Sequence, residues 1–332
     1  MVVIYEDDGP PTIEQLLEWM VPGLYEKYVL QKRMKLQDIL CRGRIKRTIK
    51  DRMAQTPFEL FDAIEIETLN RCNSNCSFCA VNKKLDPRPF KVMDEDLFNS
   101  IIAQLTNLQY KGYISLYSNN EPLLDQRIAD FCKIAKQKIP SAPLFLFTNG
   151  KLLTEELFEK LMKYLDLLVI DNYDNRMKLI EPVKAIYDVC LTNPTCEEKV
   201  VISLMKKDQL RSTRGGSAPN RTDIAPLKSL CILPFTQMVV RPDGKISLCD
   251  CDALGKVTLG DLTRDSISDV WNGDLYWDVR RRIAEGRKNF FLCRNCDHIV
   301  FTATKSFRNF YLGKPRSWLN IFEFMGTRET ES

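Results

Sequence analysis

"LNRCNSNCSFCAVNK", residues 69–83, sets Cys72, Cys76 and Cys79 in a C-x3-C-x2-C arrangement. Four thiolates ordinarily close a zinc or iron–sulfur site, whereas three leave a position for a ligand from outside the protein. Standing alone the motif also admits a zinc knuckle or chance clustering, so its surroundings must decide between them.

Those surroundings read as alternating short strands and helices. "AIEIET" precedes the cysteines, and a helix near 94–108, "YISLY", a helix near 126–138, "LFLFT", a helix near 154–164, "LLVID" and "EKVVISLM" follow. Strands alternating with helices imply a parallel sheet or barrel. Upstream, the stretch from about 12 to 56 has apolar residues at helical spacing, broken near Pro22-Gly23, and predicts a helical extension. Downstream, "KDQLRSTRGGSAPNRTD" at 207–223 is polar and rich in Gly and Pro, the composition of a linker. In "TQMVVRPDGKISLCD" two alternating segments flank Pro242-Asp243-Gly244, a hairpin signal, and a helix around 266–285 follows. The expected division is 1–60 helical extension, 61–222 core, 223–300 a small second domain and 301–332 an aromatic, basic tail packed on the main body.

With 332 residues and 44% hydrophobic composition the chain builds a sizeable core. Its longest apolar runs fall well short of the roughly 18 residues a membrane span needs, and "MVVIYEDDGPP" lacks the basic and apolar regions of a secretory signal. The expectation is a cytoplasmic protein, where twelve cysteines read as metal ligands or catalytic groups before disulfides. A net charge of +4 is too small to argue for nucleic acid, although residues 32–52 carry nine Lys/Arg against Asp38 and Asp51. That run reads first as a solvated helical face and second as a contact for a partner or a membrane surface. His298 is the only histidine, so Ser-His-Asp and His-rich metal chemistry are excluded and proton transfer falls to carboxylates, Lys, Arg or Tyr.

The three cysteines after a first strand, with Phe78 before the last of them, resemble the radical SAM superfamily. The resemblance extends along the chain: Asn119-Asn120-Glu121-Pro122 stands where that family has Gly-Gly-Glu, and Thr148-Asn149-Gly150 resembles its Thr-Asn-Gly. It implies a partial (β/α)6 TIM-like barrel of α/β class with a 4Fe-4S cluster on Cys72, Cys76 and Cys79 at the mouth. There S-adenosylmethionine chelates the open iron and is cleaved by one electron to a 5′-deoxyadenosyl radical. Phe78, Asn119, Asn120, Glu121, Thr148, Asn149 and, more weakly, Ser203 would face the cofactor. Two glycines are missing at 119 and 120, which leaves Glu121 the better placed of the three.

Cys231-x17-Cys249 followed by Cys293-x2-Cys296, with Gly244 five residues before Cys249, resembles the twitch form of the SPASM extension, which holds one auxiliary 4Fe-4S cluster. A four-cysteine zinc site has the same spacing. Cys251, in "CDCD", two residues past Cys249, is a candidate to replace a ligand or donate a hydrogen atom, while Cys41, Cys132, Cys190 and Cys196 read as ordinary buried or half-buried residues. Asp171 and Tyr173, after the fourth core strand, and Arg214, before the auxiliary domain, are the candidates for acid–base work. The resemblance implies a radical SAM oxidoreductase with two 4Fe-4S clusters and a flavodoxin- or ferredoxin-type electron donor. The expected reaction dehydrogenates a cyclitol or sugar alcohol, the auxiliary cluster accepting an electron; the alternative is a peptide-modifying enzyme.

Overall fold

The structure, a computed structural model, describes residues 3–5, 20–21, 31–221 and 227–299. The tail at 301–332, the break at Pro22-Gly23 and the expected boundary at 222/223 lie outside the described residues.

A single eight-stranded sheet organises the molecule. Its strands in chain order are β1 (Val3–Tyr5), β2 (Ala63–Ile66), β3 (Tyr113–Ser115), β4 (Leu144–Thr148), β5 (Leu167–Tyr173), β6 (Val200–Met205), β7 (Gln237–Val240) and β8 (Ile246–Ser247), and their spatial order is β1-β6-β5-β4-β3-β2-β7-β8. All neighbours are parallel except β7 and β8, which form the antiparallel hairpin read from Pro242-Asp243-Gly244. The six strands of the open barrel are thus β2 to β6 with β1, which comes from a region expected to be helical.

The helices are α1 (Gln31–Met53), α2 (Glu95–Asn107), α3 (Ile128–Lys138), α4 (Glu155–Met162), α5 (Glu181–Thr192), α6 (Cys196–Lys199), α7 (Leu233–Thr236), α8 (Ile267–Asn272) and α9 (Asp274–Glu285). Each crossover helix has a local cause. In α2, Asp94 caps the N-terminus by accepting from Asp96 N at 2.8 Å, Glu95 and Asp96 complement the helix dipole, and Phe98, Ile101, Ile102 and Leu105 bury one face. Thr154 caps α4 in the same way. The helix expected around 266–285 is two helices, broken at Gly273, where an added Cβ would lie 2.8 Å from the Asp269 carbonyl oxygen.

Strand alternation divides the core into two layers. Ile64, Ile114, Leu146, Leu168 and Ile202 pack outward under the helices, while Phe145, Leu167, Val169 and Val201 fill the barrel interior with Tyr113 and Phe147 against them. Above that apolar plug the inward positions turn polar, at Glu65, Asp171 and Ser203.

The last hairpin makes no sheet of its own. β7 lies parallel to β2, pairing Ala63 with Gln237 and Glu65 with Val239, so the second domain continues the core sheet. Arg280 fastens the junction: buried, it donates to the carbonyls of Pro234 and Trp271 and stacks on Trp271 and Phe58. The supposed linker is also packed. Thr213 is fully buried, its N and Oγ1 donating to Asp297 Oδ1 at 2.6 and 3.0 Å, and Arg221 pairs with Asp297 at 2.8 Å.

Candidate active site at the barrel mouth

The C-terminal ends of the strands open into a cleft of about 630 Å³. Cys72, Cys76 and Cys79 line one side of it, carried by the loop after β2. Asn82 braces that loop, donating through Nδ2 to the carbonyls of Cys76 and Cys79 at 3.1 and 2.8 Å, and Ser77 N donates to the Lys207 carbonyl at 2.8 Å. Burial pushes the Cys72 and Cys76 thiols up to about 11 and about 12. A bound cation reverses that preference by taking the thiolate.

Most of the expected cofactor residues gather in this cleft: Phe78, Asn119, Asn120, Glu121, Thr148 and Asn149 line it. Their connections differ from a simple row of ligands. Glu121 Oε1 accepts from Thr148 Oγ1 at 2.6 Å and Leu123 N at 3.1 Å, while Oε2 accepts from Asn149 N at 2.7 Å. Its carboxylate therefore clamps the Thr148-Asn149-Gly150 turn. Burial, against those hydrogen bonds, still pushes it up to about 7. Asn149 Nδ2 donates to Asn73 Oδ1 at 2.7 Å, beside Cys72. Gly150 has φ 72, a left-handed conformation in which a Cβ would strike Val183 at 2.4 Å.

The two asparagines in place of glycines do different things. Asn120 Oδ1 accepts from Ser118 N, while its Nδ2 is buried without a partner, a free donor in the cleft. Asn119 N donates to Glu67 Oε1 at 2.6 Å, Nδ2 donates to the Asp250 carbonyl at 2.9 Å, and Oδ1 accepts from Arg214 Nη2 at 2.6 Å. It joins the core to the auxiliary domain.

From the cysteine loop outward, Phe78, Tyr173, Arg211 and Asp171 form a connected wall. Arg211 Nη1 donates to Tyr173 Oη and Tyr173 Oη to Asp171 Oδ2, each at 3.3 Å, while Phe78 lies 5.6 Å from the Tyr173 ring and 5.3 Å from the Arg211 guanidinium. Burial pushes Asp171 up to about 6, partly offset by Arg211 and the tyrosine hydroxyl. Ser203, paired in register with Asp171, is not among the residues lining the cleft.

Arg214 sits on the auxiliary side with φ 46, stiffly held: its Nη2 donates to Asn119 Oδ1 and to the Asp250 carbonyl at 3.1 Å. Desolvation works against its charge, but Cys79, Cys251 and Asp250 outweigh it and keep the guanidinium firmly protonated. Beneath lies a group that sequence reasoning missed. Glu65 Oε2, Asp250 Oδ1, Ser115 Oγ and Arg214 Nε are all buried without partners, while Glu65 Oε1 accepts from Gln237 Nε2 at 2.8 Å. Burial, and then the Asp250 carboxylate, push Glu65 up to about 8. Only the inward phase of β2 signals Glu65 in the sequence; nothing there places Asp250 beside it.

The other thiols collect below the hairpin. Cys231, Cys249, Cys251, Cys293 and Cys296 are all buried. Arg287, also buried, donates to the carbonyls of Ser229 at 3.0 Å, Cys296 at 3.3 Å and His298 at 2.9 Å, fixing both ends of the set. Cys41 is half-buried, while Cys132, Cys190 and Cys196 are buried away from either set as ordinary packing residues. Among the described residues, the one group of metal-ligating side chains drawn within 4.8 Å of one another is Cys249, Asp250 and Cys251. The three loop thiols do not close around a single ion, and three sulfurs set around a cleft, one buried and two half-buried, suit a multi-iron cluster with one open position.

Comparison with known proteins agrees with this chemistry. The radical SAM superfamily model matches residues 66–171, and an iron–sulfur cluster-binding domain model, SPASM, matches residues 231–297. The chain is 28% identical over 246 residues to the S-adenosyl-L-methionine-dependent 2-deoxy-scyllo-inosamine dehydrogenase of Niallia circulans, a match covering 73% of this chain and 94% of that protein. Among solved structures it resembles BtrN in complex with AdoMet and 2-DOIA, with TM-score 0.64, 27% identity and coverage of 74% of this chain and 96% of that one. BtrN in an open conformation matches with TM-score 0.54, 25% identity and coverage of 73% and 94%. No helix among the described residues is long and apolar enough to cross a membrane.

Proposed function

We propose, from the premise that this chain is a radical SAM enzyme with a C-terminal SPASM-type iron–sulfur domain, that it dehydrogenates an amino-substituted cyclitol. When bound, S-adenosylmethionine and the cluster on Cys72, Cys76 and Cys79 supply the radical that removes hydrogen from a substrate carbon. The protein residues bind, aim and move the proton.

Asn120 Nδ2, the free donor, suits the cofactor carboxylate, while Phe78, Tyr173 and Arg211 border the space for its adenine and Asp171 accepts from its ribose. Glu121 acts as a positioning residue, through the turn it clamps. Ser203 is left a supporting role at most, behind Asp171. The substrate lies on the other side, over Glu65 and Asp250.

The observation that carries the substrate class is the pair of unpartnered, buried carboxylate oxygens, Glu65 Oε2 and Asp250 Oδ1, which lie behind Arg214 of the cleft wall. Burial first, and then the neighbouring Asp250 carboxylate, raise Glu65, and a cationic amine between the two carboxylates relieves the repulsion. The amine in the name of the Niallia circulans enzyme fits that demand. Glu65 is also the better proton acceptor. A carboxylate poised near 8 matches the working pH range, whereas Arg214, held protonated by its neighbours, acts as a fixed cation. Cys231, Cys249, Cys293 and Cys296 would hold the auxiliary cluster that takes up the remaining electron. A small electron-carrier protein of the ferredoxin or flavodoxin type would reduce the first cluster.

The test is anaerobic turnover with 2-deoxy-scyllo-inosamine deuterated at the ring carbons. Deuterium in 5′-deoxyadenosine together with a ring ketone supports the reading. Cleavage of S-adenosylmethionine without deuterium transfer from any aminocyclitol, but with transfer from a labelled peptide, replaces it with peptide modification.

A further inference from the structure

The auxiliary region holds one thiol more than a four-iron site uses. We propose that Cys251 is an interchangeable ligand of that site, taking the iron position of Cys249, so that five thiols share four positions. This rests on the reading of Cys231, Cys249, Cys293 and Cys296 as the auxiliary ligand set.

The geometry supports exchange between this particular pair. The Sγ atoms of Cys249 and Cys251 lie within 4.8 Å of each other on one turn, and both residues are buried in the same core cluster as Cys296. With 2% of its surface exposed, Cys251 is placed for the interior and not for reaction with solvent. The residue between the two thiols is anchored at both its backbone groups: Asp250 N donates to Gln237 Oε1 at 3.2 Å, and its carbonyl accepts from Asn119 Nδ2 and Arg214 Nη2. Exchange therefore needs only rotation of two side chains about a fixed centre.

That centre faces the cleft. Cys251 acts electrostatically on Arg214, and its carbonyl lies near Gly215, the residue after Arg214. Residues Ala253 and Leu254, just past the turn, pack on Cys79, Ala80 and Val81 of the first loop. Ligation through Cys251 thus shifts the cluster's attachment toward the reacting centre, and ligation through Cys249 shifts it away. During exchange the arriving thiol gives up one proton and the departing thiolate takes one, so net charge is unchanged and no oxidant or reductant is consumed.

The test uses full-length protein purified anaerobically: wild type, Cys249→Ala, Cys251→Ala and the double variant, with iron and sulfide analysis and Mössbauer spectra. Wild type should hold about eight irons, as two four-iron clusters require. Each single variant is expected to keep about eight with every auxiliary iron sulfur-ligated, and the double variant, left with three auxiliary thiols, to show one auxiliary iron without a thiolate or to fall to about four. Loss of about four irons from either single variant, an auxiliary iron without a thiolate in Cys249→Ala alone, or a fully sulfur-ligated auxiliary cluster in the double variant overturns the exchange. Retained cleavage of S-adenosylmethionine reports that each variant is folded. If Cys249→Ala does not fold, Cys249→Ser keeps the volume: spectra with only sulfur-ligated iron support exchange, and one oxygen-ligated iron overturns it. Wild type with about four irons removes the auxiliary cluster itself, a distinguishable failure of the parent reading.

Discussion

The two cysteine regions solve opposite problems with the same side chain. The first loop leaves Cys72 and Cys79 half-exposed at the rim of a cleft and holds its shape through Asn82 and the Lys207 carbonyl, so a small molecule reaches the thiols. The hairpin region buries all five of its thiols and fixes them through Arg287 and the Thr213–Asp297–Arg221 cluster. Openness is what chemistry on a bound cofactor requires, and closure suits a site that only passes electrons. Arg214, Asn119 and the Asp250 carbonyl join the two in one hydrogen-bonded bridge.

The sharpest way to break this contrast is to remove one thiol from each side. Cys76→Ala is expected to abolish formation of 5′-deoxyadenosine. Cys293→Ala should retain that cleavage while losing the ketone, both read by chromatography of the two products. If Cys293→Ala ends cleavage in a folded protein, the division between the regions is wrong.

Next in size is the proton acceptor. Glu65→Gln should lower ketone formation by about 10²- to 10⁴-fold, the usual range for a general base, with cleavage of S-adenosylmethionine persisting uncoupled. As the base must be ionised, wild-type turnover should rise with pH through about 8, and the variant should lack that limb. An unchanged limb in the variant moves the role to another group.

A third expectation concerns stability. Burial holds the protons of Glu65, Glu67, Glu121 and Asp171 up to about 8, 7, 7 and 6, whereas the unfolded chain releases them near 4.5 or 3.8. The folded state binds more protons across this window, so stability should fall as pH rises from about 5 to about 8. Urea midpoints of cluster-free protein at both ends check the sign. The smallest effect is expected at the bridge: Asn119→Gly removes a neutral hydrogen bond to the Asp250 carbonyl, worth about 1 kcal/mol, and one from the charged Arg214, worth about 1.5–3 kcal/mol, and should weaken coupling of cleavage to ketone formation severalfold without changing iron content.

Much of this was legible in the chain. The strand–helix alternation from Ile64 onward placed β2 to β6 within a few residues, because each strand is short, apolar and followed by a change of period. Helix α5 escaped notice, lying between "LLVID" and "EKVVISLM" with little to separate it from a loop. The three loop cysteines, Asn119 to Glu121 and Thr148-Asn149 were named in advance and now share one cleft. What Glu121 does there was not, since a sequence names the carboxylate but not the turn it clamps.

The sequence by itself determined the ligand chemistry and the order of elements, because thiol spacing and hydrophobic periodicity are local properties. Only the tertiary structure decided that β7 would join β2 and make one sheet of two domains, that the polar segment at 207–221 would pack as a strap, and that Glu65, Asp250 and Arg214 would meet. Residues 65, 214 and 250 are brought together by strand pairing, and the low dielectric that raises Glu65 exists only once the fold has excluded water.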